Sequence, residues 1–179
     1  MNKDTIVQFV SFETALDSDA FLPQWKHYKR STNSEIGATL QQNVLKDGSF
    51  KYIAQHRCAS TEFQFVLSKE RRSSRIPEAE IRKRLAGGYS ILQLERVSET
   101  NGDESKILVF VITPQPDLDI YRQFSVHGKL NIYEAYYENC EFTYILEFFV
   151  KSDYASDVLH QLKILTGFAD AGIYKECHA

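Results

Sequence analysis

The chain has 179 residues, 43% hydrophobic and 25% charged, with a formal net charge of −3, the balance of an ordinary globular protein long enough for one large domain or two of about 90 residues. That charge supplies no field to draw in nucleic acid or an anionic membrane surface. Three cysteines without a Cys-x-x-Cys pair exclude a disulfide framework, and the polar opening Met1 to Thr5 and short apolar runs exclude a leader or a membrane span, so a cytoplasmic protein is the expectation.

Residues 6–13, rich in Val, Ile and Phe, read as a strand. Ser18 or Asp19 caps a helix to about residue 30, with Phe21, Trp25 and Tyr28 spaced by four and three on one face. Strands over 36–45 and 50–58 follow, joined across Lys46-Asp47-Gly48-Ser49, a hairpin signal. Ser60 opens a helix to about Arg72 in which Phe63, Val66 and Leu67 share a face. Pro77 opens a short helix to about Leu85, Gly87-Gly88 ends it, and residues 89–95 form a fourth strand. The polar run Ser98 to Ser105 marks a linker. The order then restarts: a strand over 106–113, a shorter helix over 117–126 and a hairpin of 129–137 with 142–150. Last come a helix capped by Ser152 or Asp153 and a strand over 172–177.

The restart is written in the residues. Phe50 to Ser60 and Phe142 to Ser152 read almost as one stretch, and Ile6-x-x-Phe9-Val10 echoes Ile107-x-x-Phe110-Val111. The fold class is α+β: two tandem ferredoxin-like βαββαβ units, residues 1–97 and 106–179, joined by a linker over 98–105. The strands are apolar on both faces, and helices cover only one face of such a sheet. The two antiparallel sheets are therefore expected to pack face to face as an intrachain α/β barrel with helices outside, a monomer acting as a pseudo-dimer.

Trp25 in the first helix, Glu35-Ile36-Gly37 entering the second strand and Arg57-Cys58-Ala59-Ser60-Thr61-Glu62-Phe63 together resemble the dimeric α/β-barrel superfamily, especially the antibiotic biosynthesis monooxygenase-like proteins. In many of those, the last segment reads Trp-x-Ser-x-Glu-x-Phe; here Cys58 stands in the tryptophan's place, followed by Ser60, Glu62 and Phe63. The resemblance implies a ligand cavity between sheet and helices, used in some members for cofactor-free oxidation of aromatic molecules and in others for haem binding or breakdown. The haem-degrading members carry an asparagine, a tryptophan and an axial histidine where this chain has residues near Glu13, Cys58 and about Ser68. With no histidine between Ser60 and Arg72, haem ligation of that kind is not expected, and no cofactor is.

Alternation puts His56 on one face with Phe50, Tyr52 and Cys58, the face that the resemblance makes cavity-facing. His56 is the candidate proton-transfer residue, with Glu13 or Ser11 at the end of the first strand as its partner. A histidine satisfied by its neighbours at the core edge is the plainer account. Trp25, with Phe21 and Tyr28, could wall a pocket, although core packing explains the same spacing. Cys58 could be reactive, but Arg57 projects to the opposite face and gives its thiol little help. His27, His127, His160 and His178 have no metal-ligand spacing, so no metal is expected. The basic stretches Lys69 to Arg75 and Arg82 to Arg84 read as a solvated surface.

Three readings of function stay open. The first is an antibiotic biosynthesis monooxygenase-like protein that binds or oxidises a small apolar or aromatic molecule without a cofactor, with Glu13 and His56 as catalytic residues and Ser11, Trp25, Tyr52 and Cys58 contacting the substrate. The second is a non-catalytic ligand-binding or regulatory barrel. The third is RNA binding, since RNA-recognition motifs share the βαββαβ order, but the acidity argues against it.

Overall fold

The computed structural model describes residues 5–31, 39–45, 50–63, 81–96, 102–136, 140–165 and 168–177. Apolar and alternating runs form the strands β1 (Thr5–Thr14), β2 (Thr39–Asn43), β3 (Tyr52–Ala59) and β4 (Ile81–Gln93), then β5 (Glu104–Val111), β6 (Gly128–Ala135), β7 (Tyr144–Lys151) and β8 (Phe168–Glu176). Helix α1 (Ser18–Ser31) follows β1, and helical residues 60–63 open α2 directly after β3. Helix α3 (Leu118–Arg122) runs on as a 3-10 turn (Gln123–His127), and α4 (Ala155–Ile164) precedes β8. The remainder of the helix expected to Arg72, the turn at 46–49, the basic stretch 69–75 and residues 98–101 of the linker lie outside the described residues, while Glu104 and Ser105, expected in the linker, already belong to β5.

The strands close into one antiparallel barrel in the order β4-β1-β3-β2-β8-β5-β7-β6, with β6 returning to β4. The expected face-to-face stack is therefore a single hydrogen-bonded sheet. Gln41, Gln42 and Asn43 of β2 pair with Glu176, Lys175 and Tyr174 of β8, and Tyr89 to Gln93 of β4 pair with β6. Two open sheets would leave four edges of unpaired N–H and C=O groups, and closure removes them.

The pairing also tests the repeats. Thr39 faces Gln55 and Gln41 faces Ile53; at one constant offset along the chain, Asn131 faces Glu147 and Tyr133 faces Ile145. The hairpin echo is in register. The first-strand echo is not, because Phe9 faces Gln55 whereas Leu108, rather than Phe110, faces Glu147.

Local signals failed in three places. Residues 81–85, expected as helix, belong to β4, where Leu85 to Ile81 pair with Val10 to Thr14 of β1. The ladder along the full length of β1 outweighs the helix preference of Arg-Lys-Arg-Leu-Ala. Gly87, with φ of 108°, sits at a register shift within that strand instead of ending a helix. The caps moved as well. The Asp17 carboxylate accepts from Ala20 N–H at 3.0 Å at the start of α1. Ser152 bonds the Ser105 hydroxyl at 2.9 Å and lies in a 3-10 turn before α4.

Apolar residues on both strand faces give three packed layers. Val7, Phe9 and Ile53 meet Leu108, Phe110 and Ile145 inside the barrel. Val10, Phe12 and Tyr52 pack under Phe21 and Trp25 of α1, while Ile107, Val109 and Leu146 pack under Leu159 and Leu162 of α4. Burying such side chains at about 1.5–3 kcal/mol each is what makes both faces of every strand worth covering.

Candidate functional site

β1 turns Val7 and Phe9 into the barrel and Val10 and Phe12 toward α1, so alternation points Ser11 inward. Ser11 is buried opposite Ile53. His56 lies opposite Gln8 on the outward face, and the two candidates stand on opposite sides of the sheet. Glu13 is level with Arg82 of β4, five strand positions beyond Gln8, or roughly 17 Å at about 3.3 Å per residue. The expected His56–Glu13 and His56–Ser11 partnerships do not form.

Trp25 and Tyr52 do come together, but as core. Phe21 stacks on Tyr52 with ring centroids 4.1 Å apart, and Phe12 meets Trp25 edge-on at 5.9 Å. Burial, with the nearby charges of Cys177, Asp17 and Asp19, pushes the Tyr52 phenol up to about 12. Phe50, expected beside them, instead turns into the barrel against Phe110 and Phe142, because it precedes the first residue of β3. Cys58 is buried, and burial followed by the Glu62 charge pushes its thiol up, away from a nucleophilic thiolate. Phe50 and Tyr52 are both buried, which leaves β3 no stacking platform for RNA bases.

Sequence reasoning missed Gln8. It is 2% exposed, stands directly across from His56, and its amide nitrogen has no hydrogen-bond partner among the described residues. The signal was there: Gln8 is a polar residue set between Ile6 and Val10 on the face that also carries Phe12.

The barrel interior holds a second polar group. Lys106 Nζ lies 2.9 Å from Glu147 Oε1, while Tyr133 O–H and Asn131 Nδ2 donate to Glu147 Oε2 at 2.6 and 2.8 Å. Gln55 Nε2 donates to the Tyr133 oxygen at 3.5 Å, and Gln41 Nε2 to Gln55 Oε1 at 3.0 Å. Burial pushes the Glu147 carboxyl up, but the Lys106 ammonium and the donors around it hold it below its ordinary range. Burial and the Glu147 charge push the Tyr133 phenol well up, so it remains a donor. The group is ionised, with the Arg57 charge acting on Tyr133 as well.

A cavity lies elsewhere, among the loop after β5, α3 and the end of α4. It has a volume of about 320 Å³ and is lined by Thr113, Gln115, Pro116 and Asp117 after β5, Ile120 and Tyr121 of α3, and Leu165 after α4. Asp117 Oδ1 accepts from Asp119 N–H at 3.1 Å, which starts α3 and fixes Ile120 and Tyr121 on the cavity wall. Tyr121 also belongs to the core layer under α4. Burial pushes its phenol up, and its hydroxyl has no partner among the described residues.

No protein-family model and no curated protein matches the sequence. Solved structures match the shape. A mutant chlorite dismutase from Candidatus Nitrospira defluvii in complex with cyanide is similar with a TM-score of 0.61 at 8% identity, over 99% of this chain and 92% of that one. The chlorite dismutase of the same organism in complex with imidazole is similar with a TM-score of 0.55 at 8% identity, over 98% and 92%. The fold is of the dimeric α/β-barrel type. At that identity the likeness is of fold alone.

The haem that some barrels of this type hold does not fit the cavity. Of the side chains that ligate haem iron, the described lining residues offer Tyr121 alone, and its raised phenol disfavours the phenolate that iron would need. Among the described lining residues no cation stands ready to meet propionates. Among the described residues no cluster of three or more His, Cys, Asp or Glu could hold a metal, and no helix is long and apolar enough to cross a membrane.

Proposed function

We propose that this chain is a small-molecule-binding α/β barrel, built by tandem duplication of one ferredoxin-like βαββαβ unit, whose ligand sits beside α3 in the second unit. The matching strand orders β4-β1-β3-β2 and β8-β5-β7-β6 and the hairpins paired at one offset support the duplication. The observation that carries the binding function is the 320 Å³ cavity, which falls within the roughly 300–1,000 Å³ range of ligand sites. Ligand-observed NMR with indole and naphthalene tests it: both should bind the parent, and Ile120→Trp, which fills the cavity, should abolish binding. Equal binding by that variant would sink the proposal.

A second reading, cofactor-free oxidation on the first unit as in antibiotic biosynthesis monooxygenase-like proteins, rests on Gln8. Its unpartnered amide stands across from His56, pairing a hydrogen-bond donor with a proton acceptor beside Cys58. Oxygen uptake with an added quinol, lost in His56→Ala and in Gln8→Leu, is its expected outcome; uptake indifferent to both variants opposes it.

A further inference from the structure

The chemistry of the occupant follows from the lining, and the argument rests on the binding cavity proposed above. Tyr121 is 2% exposed, and its hydroxyl has no hydrogen-bond partner among the described residues. Buried hydroxyls in folded proteins are bonded in the large majority of cases, to protein, water or ligand. Pro116, Ile120 and Leu165 give the cavity its apolar wall, beside the polar Thr113 and Gln115, and Asp117 gives it a carboxylate with no cation among the described lining residues. The residues just before Thr113 and Leu165 are Ile112 and Ile164, 55% and 70% exposed, so the chain around the cavity is apolar as well. An anion would meet Asp117 without a counter-charge, whereas an uncharged molecule would not.

We propose that the cavity takes an uncharged, mostly apolar molecule bearing one hydrogen-bond acceptor, of the aryl ketone type, and that the Tyr121 hydroxyl donates to that acceptor. Tyr121 lines the cavity while its hydroxyl is buried, so the bond forms with a turn about Cα–Cβ that carries the hydroxyl to the ligand. That turn breaks no existing bond, because the hydroxyl has none to lose.

Three probes of one shape test this on the full chain by NMR titration: acetophenone, isopropenylbenzene, which replaces C=O with C=CH₂, and benzoate. Acetophenone should bind about three- to tenfold more tightly than isopropenylbenzene, the range one neutral hydrogen bond supplies, and benzoate should bind weakest. Tyr121→Phe should erase the ketone's margin and leave isopropenylbenzene unchanged. Equal binding of ketone and hydrocarbon by the parent, or a margin that survives Tyr121→Phe, overturns the tyrosine's role while the cavity stands. Failure of all three probes to bind, or binding unchanged by Ile120→Trp, overturns both. Tyr121→Phe removes only an unbonded hydroxyl, so it should melt no lower than the parent; a lower melting temperature shows a hidden partner and also overturns the assignment.

Discussion

Gln55 on β3 and Glu147 on β7 occupy the same position in two hairpins, and each accepts a hydrogen bond from an equivalent neighbour: Gln41 Nε2 at 3.0 Å in one, the Tyr133 hydroxyl at 2.6 Å in the other. The first pair is neutral and the second ionised. The cation has changed strands too, since Val7 faces Arg57 where Lys106 faces Phe149. One geometry therefore carries different electrostatics in its two halves, joined where Gln55 reaches Tyr133.

Glu147→Gln would make the second hairpin neutral like the first but leave the Lys106 ammonium buried without its charge partner. Breaking a buried pair from one side costs about 3–5 kcal/mol, and urea denaturation should show a loss of that order. Lys106→Met combined with Glu147→Gln should recover most of it. A single variant within about 1 kcal/mol of the parent would mean that the pair does not hold the barrel interior.

The same carboxyl makes the fold sensitive to acid. Its folded-state pKa is depressed, so the stability it contributes is fully present above the unfolded value of about 4.3 and is lost as pH falls through the folded value. Denaturation midpoints should decline at pH below about 4, and the decline should be shallower in the Lys106→Met, Glu147→Gln double variant. An identical acid limb in both proteins refutes this assignment.

Gly88 is fixed by contact: a Cβ there would overlap the Phe63 ring of α2. Gly88→Ala should destabilise by about 1–3 kcal/mol through overpacking, and adding Phe63→Ala should make the alanine tolerable. Thermal melts of the parent, the two single variants and the double variant measure the coupling, and additive losses would contradict it.

Cys58, buried and with its thiol pushed up, should be alkylated by iodoacetamide more slowly than the half-buried Cys140. Peptide mass spectrometry over a time course reads the order directly. Cys58 reacting first would place it in an open, activating site.

Much of the fold was legible in the residues. Period-two alternation located the strands, and their apolar character on both faces called for a second covering, which Phe9, Phe110 and Ile145 supply inside the barrel. The misreadings had a common cause. Residues 81–85 look helical because propensity is local, whereas the free edge of β1 that captured them is tertiary. The candidate site suffered in the same way: Ser11, Glu13 and His56 look adjacent when strands are drawn side by side, but register and facing, fixed by pairing, hold them apart.

The sequence by itself determined the strands, the repeated hairpin and the need to bury two faces, because those properties live in the order of side chains along a few residues. Only the tertiary structure decided that the sheets join edge to edge, that Glu147 meets Lys106 and Tyr133, and that a cavity opens beside Tyr121. Each of these depends on segments tens of residues apart arriving at one place, and closure of the barrel is the physical event that brings them there.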